Sequence, residues 1–472
     1  MKFFRFSFLV ATFLAVTSFT DKHAVNEYNV IVNTSNVIGT VSPNIMGFNM
    51  VYCFEGDAAW KSGSGKIAGM MKDIGVGQFR YPGGTVVTRY HWEKPTGQGW
   101  SDILDPQFDP TKNSSPSSYM DIDEYLELTK KLKIEPLVGI NMGSGIKYNR
   151  VQEGVDEAVR LMKHCLSKGV KVKYYYLDNE PYQHDANYTY KPEEYADMVN
   201  TYVPAMKKVD PDIKIIVNTQ PRTDIYIKPL LEKAGKNIDM VDVHMYWKFK
   251  NATFNNWIAE PLMTHQGKGT YAQQKQIWEK LFADEGYPNI KLVVLEWNIG
   301  PPGQNAPPTE TQAALMIGEQ FTQYIKSGLF MSCFWPLSLP ANDGKNTRPL
   351  FRSQGGYQPN KAYFMFAMYT DILGQKQVSN EVSGTRLIPL SVKSNDGKTM
   401  WVYLVNKNQD SESSAVNLSL TDFKIKNVAI TGFDSDGKII NKQDINTSQP
   451  DVSHFKLNVP RNSLIKLTFN AL

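Results

Sequence analysis

The chain has 472 residues, 42% of them hydrophobic and 21% charged, with a formal net charge of +4 at pH 7. That length suits one large domain with a smaller companion, and the apolar share excludes wholesale disorder. The positive excess is small and forms no basic block or stripe, which argues against nucleic acid as a partner.

At the start of the chain Lys2 and Arg5 precede a mostly apolar run from Phe6 to Val16, followed by the smaller Thr17, Ser18 and Thr20. This pattern predicts a signal peptide over residues 1–20 and a secreted or periplasmic product. The run is too short for a comfortable membrane span, so none is expected after cleavage, although an uncleaved anchor is the other reading. Cys53, Cys165 and Cys333 are too few, and odd in number, for a disulfide framework, and they read as small buried apolar residues. No CxxC or HExxH occurs, so the sequence calls for no metal or cofactor.

Tyr28–Asn33 reads as a strand, and a turn then leads to Ile45–Met50. Seven further short apolar runs follow: Gln78–Tyr81, Pro136–Asn141, Tyr174–Leu177, Ile213–Asn218, Val241–Tyr246, Leu292–Trp297 and Phe330–Leu337. Amphipathic stretches separate them, such as Ile122–Leu132, Glu193–Val209 and Thr311–Lys326, and Phe364–Ile372 follows the last. Eight strand–helix units predict an α/β protein with a (β/α)8 TIM barrel over residues 41–374. No GxGxxG follows an early strand, which argues against a doubly wound sheet. From residue 375 to 472 the runs Trp401–Val405, Ala415–Leu420, Val428–Phe433, Phe455–Val459 and Leu464–Phe469 alternate with turn residues. They predict an antiparallel β-sandwich, which the strands of residues 21–40 join.

On this scaffold Glu180 ends the fourth barrel strand and Glu296 lies near the end of the seventh. Barrel sites form at the C-terminal ends of strands, so two carboxyl groups placed there face each other across the mouth. Such a pair suits glycosidic bond cleavage, with one group protonating the leaving oxygen and the other attacking the anomeric carbon. The acid needs a raised pKa and the nucleophile must remain ionised.

Asn179-Glu180-Pro181 resembles the acid/base motif of clan A glycoside hydrolases. Leu295-Glu296-Trp297-Asn298 resembles the nucleophile motif of family 51, the α-L-arabinofuranosidase-like branch. Phe79-Arg80-Tyr81-Pro82-Gly83-Gly84 and Asn141-Met142-Gly143-Ser144-Gly145 are similar to two further motifs of that branch. The resemblance spans about residues 37–340, and families 39, 30, 79 and 86 share parts of it. One position departs, because Asp178 stands where the pattern has Gly.

The resemblance implies a retaining O-glycosidase with Glu180 as acid/base and Glu296 as nucleophile. It also implies that Asn179 bonds the substrate 2-hydroxyl, that Arg80 lies under Glu296 and that Tyr246 donates to it. Read from the residues alone, Arg80 could equally make a structural ion pair and Tyr246 could be core. His244 is a candidate for contact with substrate or with the surroundings of Glu180, or a core histidine. Trp335 is a candidate sugar platform, Trp297 a platform or a packing residue, and Asn141 a pocket residue or a loop cap. The partner so implied is a plant or algal polysaccharide or its oligosaccharides. An endo-acting glycanase of agarase, porphyranase or xylanase type, and an inactive carbohydrate-binding protein, are the other readings. The segments Trp92–Ser118 and Lys248–Lys268 are long enough to wall a pocket or flank a groove.

Overall fold

A computed structural model describes residues 27–55, 57–95, 119–183, 188–221, 224–339, 347–444 and 453–472. The expected leader and most of the Trp92–Ser118 segment lie outside the described residues. The first strand, β1 (Glu27–Thr40), alternates at its start, with Tyr28, Val30 and Val32 buried and Asn29 and Ile31 outward. That period of two marks a strand with one face on a core.

The barrel strands come next: β2 (Gly47–Asn49), β3 (Gln78–Tyr81), β4 (Leu137–Ile140), β5 (Tyr174–Leu177), β6 (Lys214–Thr219) and β7 (Met240–Val243). After them come β8 (Met245–Trp247), β9 (Lys291–Ile299) and β10 (Ser332–Phe334). They pair in parallel in the order β2-β3-β4-β5-β6-β7-β9-β10, and β10 also pairs with β2, so the ring of eight closes. The sixth expected strand, Val241–Tyr246, is interrupted at His244, and β8 continues its course along β9. β2 to β5 are buried at every position because helices cover them outside and neighbouring side chains fill the ring inside. Leu137, Tyr174, Tyr176, Ile216, Val293 and Leu295 belong to that inner cluster.

Capping boxes start three of the outer helices. Asp121 with Glu124 opens Ile122–Leu132, Thr270 with Gln273 opens Tyr271–Asp284, and Thr309 with Gln312 opens Glu310–Lys326. The last of these is buried at every position from Ala313 to Ile325. It lies between the barrel and the C-terminal sheet, so it has no solvent face to spend on charge.

A small ribbon of β11 (Phe351–Arg352) and β12 (Gln358–Pro359) precedes that sheet. The sheet is built from β13 (Lys376–Val382), β14 (Leu387–Lys393), β15 (Thr399–Asn406), β16 (Ser413–Thr421), β17 (Ile425–Asp434), β18 (Ile439–Asn441), β19 (His454–Pro460) and β20 (Ser463–Ala471). With β1 they form one nine-stranded sheet in the order β18-β17-β20-β15-β14-β13-β1-β16-β19. Its ends fold over a second core, where Phe455 of β19 meets Phe469 of β20 at 5.6 Å although the two strands are not neighbours. The sheet is antiparallel as expected but for one pair, β1 and β16, which run parallel. β1 comes from before the barrel and is not tied by a hairpin, so its direction is free.

Candidate active site

The local geometry of β9 decides which of its side chains face the barrel mouth. Against β7 and β8 the register passes from Asp242↔Val293 to Met245↔Trp297, and against β10 from Ser332↔Val294 to Phe334↔Trp297. Both neighbours therefore face one extra residue of β9 just before Trp297, a β-bulge. The bulge resets the alternation. Val293 and Leu295 point into the barrel, and Glu296 then turns to the mouth as well. Trp297 turns outward, stacking on Phe321 with a 4° interplanar angle and meeting Phe334 edge-on. Of its two readings the packing one holds: Trp297 is fully buried in the helix layer and is no sugar platform.

Glu180 follows β5 through two left-handed residues, Asp178 at φ 60° and Glu180 itself at φ 43°. Glycine meets the first requirement without strain, which accounts for the Gly of the resembled pattern. Aspartate is among the side chains that tolerate it. Asp178 is buried, accepts the Tyr190 hydroxyl at 2.8 Å, and is pushed up to about 7 by burial. Glu180 accepts the Tyr182 hydroxyl at 3.2 Å and lies 3.0 Å from His244 Nδ1.

His244 stands between the two glutamates. The same Nδ1 is 3.7 Å from Glu296 Oε2, and Nε2 is 3.1 Å from Asp242 Oδ2. Burial opposes its charge, yet Glu296, Asp242 and Glu180 together push its pKa up to about 10. The ring is therefore an imidazolium donating to carboxylates from both nitrogens. Asp242 is itself held by Asn218 Nδ2 at 2.8 Å and by the Leu295 amide at 2.7 Å.

Arg80, fully buried, reaches the cluster from below. It donates from Nη1 to Glu296 Oε2 and Asn49 Oδ1, both at 3.2 Å, and from Nη2 to Asn179 Oδ1 at 2.6 Å. Its guanidinium lies 4.5 Å over the Tyr176 ring. Tyr246 donates its hydroxyl to Glu296 Oε1 at 2.8 Å.

The electrostatic balance of the cleft differs from the sequence expectation. Burial acts most on Glu296 and, with the charge of Glu180, holds it above the usual carboxylate range against the pull of His244 and Arg80. Burial also raises Glu180, but the charge and hydrogen bond of the nearer His244, with Tyr182, outweigh it and leave Glu180 low. The two carboxyls are close enough to influence each other, and the raised member is Glu296 rather than the expected Glu180.

The remaining candidates divide. Asn179 is fixed by Arg80, with its amide nitrogen 3.4 Å from Thr85 Oγ1. Trp335 is half-buried over Gly84, where an added Cβ would come within 3.3 Å of its ring. Asn141 exchanges hydrogen bonds with Ser144, from whose amide it accepts at 3.0 Å and to whose hydroxyl it donates at 2.8 Å, so it caps the loop. Asp242, Tyr182, Asn49 and Asn218 were not singled out from the sequence. Asp242 had a visible signal, lying two residues before His244 on the same strand face. Among the described residues no group of three or more His, Cys, Asp or Glu is arranged to hold a metal ion, and no helix is long and apolar enough to cross a membrane.

Residues 70–260 match the family described as Alpha-L-arabinofuranosidase 1 domain. An intracellular exo-alpha-(1->5)-L-arabinofuranosidase of Bifidobacterium longum is 26% identical over 197 residues, 38% of this chain and 34% of the relative. A probable alpha-L-arabinofuranosidase C of Aspergillus clavatus is 25% identical over 333 residues, 61% of this chain and 62% of the relative. The chain thus spans less than two thirds of either relative. Among solved structures, the alpha-L-arabinofuranosidase of Thermotoga maritima in its arabinose complex superposes with a TM-score of 0.73 at 18% identity, covering 94% of this chain and 100% of that one. A Glycoside Hydrolase Family 44 endoglucanase from Clostridium acetobutylium gives 0.64 at 16% identity over 94% and 99%. The arabinofuranosidase-like resemblance read from the motifs is thus met by the family match and the relatives. The structural likenesses show the same fold, a closed parallel barrel with a separate sheet.

Proposed function

We propose that this chain is a retaining, arabinofuranosidase-like O-glycosidase acting on a plant or algal polysaccharide or its fragments. Glu296 is the nucleophile in this reading and Glu180 the acid/base. One observation carries it: a single nitrogen of His244 lies 3.0 Å from Glu180 and 3.7 Å from Glu296. The two carboxylate oxygens can then be no further apart than about 7 Å. That bound accommodates the about 5–5.5 Å of a double displacement and leaves little of the about 6.5–9.5 Å range in which inverting pairs hold a water.

In the first step a Glu296 oxygen bonds to the anomeric carbon while the glycosidic C–O bond breaks and Glu180 gives its proton to the leaving oxygen. In the second, Glu180 takes a proton from water as the water oxygen attacks the same carbon and the ester to Glu296 breaks. Arg80 and Tyr246 fix the attacking carboxylate, and Asn179, held by Arg80, presents its amide to the 2-hydroxyl. Substrate in the cleft strips water from Glu180, the more exposed of the two, and supplies a leaving oxygen to bond its proton. The positive charge growing at the anomeric carbon favours an ionised Glu296. Both changes favour a protonated Glu180 and an ionised Glu296.

The first-formed product followed by NMR tests the mechanism, and retained anomeric configuration is expected. Immediate inversion, or activity on an aryl glycoside untouched by Glu296→Ala, would refute it. The leader reading of residues 1–20 adds an extracytoplasmic location. Fractionation of the host should find the chain shortened by the leader outside the cytoplasm, whereas an unprocessed cytoplasmic protein would contradict it.

A further inference from the structure

Phe249 follows β8 and is 53% exposed, a large apolar side chain left in water. A single exposed aromatic is ordinary. What sets this one apart is the backbone that presents it. Lys248, Lys250 and Asn251 all have left-handed φ, at 44°, 67° and 129°. None is glycine, so each conformation is strained.

The strained segment is held rigidly. The Gly300 amide bonds the Trp247 carbonyl at 2.7 Å, and the amides of Asn251 and Ala252 both bond the Pro301 carbonyl. A Cβ at Gly300 would lie 2.6 Å from the Lys248 carbonyl oxygen, so only glycine permits this approach. Asn305 Nδ2 donates to Asn251 Oδ1 at 2.9 Å, and Lys248 is turned back onto Glu260 at 2.6 Å. The segment is therefore strapped to the loop that follows Glu296 on β9.

The ring so presented lies beside the cleft. Its centroid is 6.0 Å from that of Tyr246, the residue bonded to Glu296, at an interplanar angle of 82°. Near-perpendicular rings do not stack, so Tyr246 does not occupy a broad face of Phe249 in parallel. An exposed aromatic face with fixed orientation suits the apolar C–H face of a sugar ring.

We infer that Phe249 is a stacking platform for a sugar unit of the substrate next along the chain from the unit held at Glu180 and Glu296. The inference rests on the glycosidase reading for its neighbouring sugar, and it makes the Lys248–Asn251 segment a specificity element. The occupant is part of the saccharide itself, and rigid presentation lowers the entropy lost on binding.

The test compares kcat/KM for α-1,5-linked arabinotriose and β-1,4-linked xylotriose with that for the 4-nitrophenyl glycoside of the same sugar. For whichever sugar is turned over, Phe249→Ala should lower the trisaccharide-to-aryl ratio roughly tenfold, the worth of one aromatic contact. Phe249→Trp should restore it. An unchanged ratio overturns the inference, and so does a lowered ratio that the tryptophan fails to restore, since that marks a packing role. If the wild type turns over nothing, calorimetric binding of the same trisaccharides separates the two claims. Affinity weakened in Phe249→Ala and recovered in Phe249→Trp supports the platform while the glycosidase reading fails. Affinity indifferent to Phe249, or no binding, overturns the platform.

Discussion

The carboxylate of Asp242 accepts the backbone amide of Leu295 at 2.7 Å, at the point where β9 carries one residue more than either neighbour. A bulge leaves its extra residue out of the ladder, and here a side chain replaces the missing acceptor. The other Asp242 oxygen bonds His244. One buried side chain thus links the bulge that aims Glu296 to the imidazolium that touches Glu180.

Asp242→Asn should separate these tasks. The amide oxygen can still accept from Leu295, so the fold should survive with a thermal midpoint within a few degrees. His244 loses one of the three negative neighbours that raise it, so its pKa falls and the alkaline limb of the pH–rate profile should move to lower pH. kcat/KM should drop about 10- to 100-fold, in line with the loss of a charge-assisted hydrogen bond. An unshifted alkaline limb would exclude His244 as its source.

Arg80→Lys should be costly although charge is conserved. The guanidinium reaches Glu296, Asn49 and Asn179 at once while lying on Tyr176. A lysine ammonium has neither the fork nor the planar face. We expect kcat to fall about 100-fold with the folded structure retained by circular dichroism. A variant with wild-type kcat would mean that the fork is structural only.

Stability should decline as pH rises from about 5 to 8. Burial pushes Glu55 up to about 8 and Asp178 to about 7, while the surrounding carboxylates push His244 up to about 10. Each folded value exceeds its unfolded counterpart, so the stabilisation is complete below the unfolded pKa and is lost as pH climbs through the folded one. The slope is at most about 1.4 kcal/mol per pH unit per group. Glu55→Gln, which can still accept from Ser338, should flatten the melting midpoint against pH over this interval. An equal slope in both proteins would rule out Glu55 as a contributor.

Lys407 and Glu319 form an ion pair at 2.8 Å with both side chains fully buried, the ammonium 4.7 Å over the Trp257 ring. It joins the C-terminal sheet to the helix Glu310–Lys326. Lys407→Ala strands a buried carboxylate and should destabilise the protein by about 3–5 kcal/mol in urea unfolding. Lys407→Met combined with Glu319→Gln should recover most of that loss. A single variant within 1 kcal/mol of wild type, on the order of a surface pair, would contradict the buried arrangement.

Where strands carried one kind of signal, the sequence was readable. Gln78–Tyr81 and Tyr174–Leu177 match β3 and β5 residue for residue, because strands covered on both faces are short and rich in aromatic side chains. Trp297 could not be resolved, since its direction depends on a bulge defined only by pairing with two other strands. β13 and β14 went unread, because Asn380 and Glu381 in one and Pro389 and Ser391 in the other break the apolar pattern. Residue type and strand position single out Glu180 and Glu296 as candidates, whereas the direction of their pKa shifts is not legible in the sequence. That direction depends on which carboxylate His244 lies nearer, a matter of tenths of an ångström.

β1 is wedged between β13 and β16, against partners more than 300 residues further along the chain. A growing polypeptide therefore makes its opening strand first and gives it a place last, after the whole barrel has emerged. Until then Tyr28, Val30 and Val32 have no core to enter. The sheet has a high contact order, and its completion should be the slow, aggregation-exposed phase of folding.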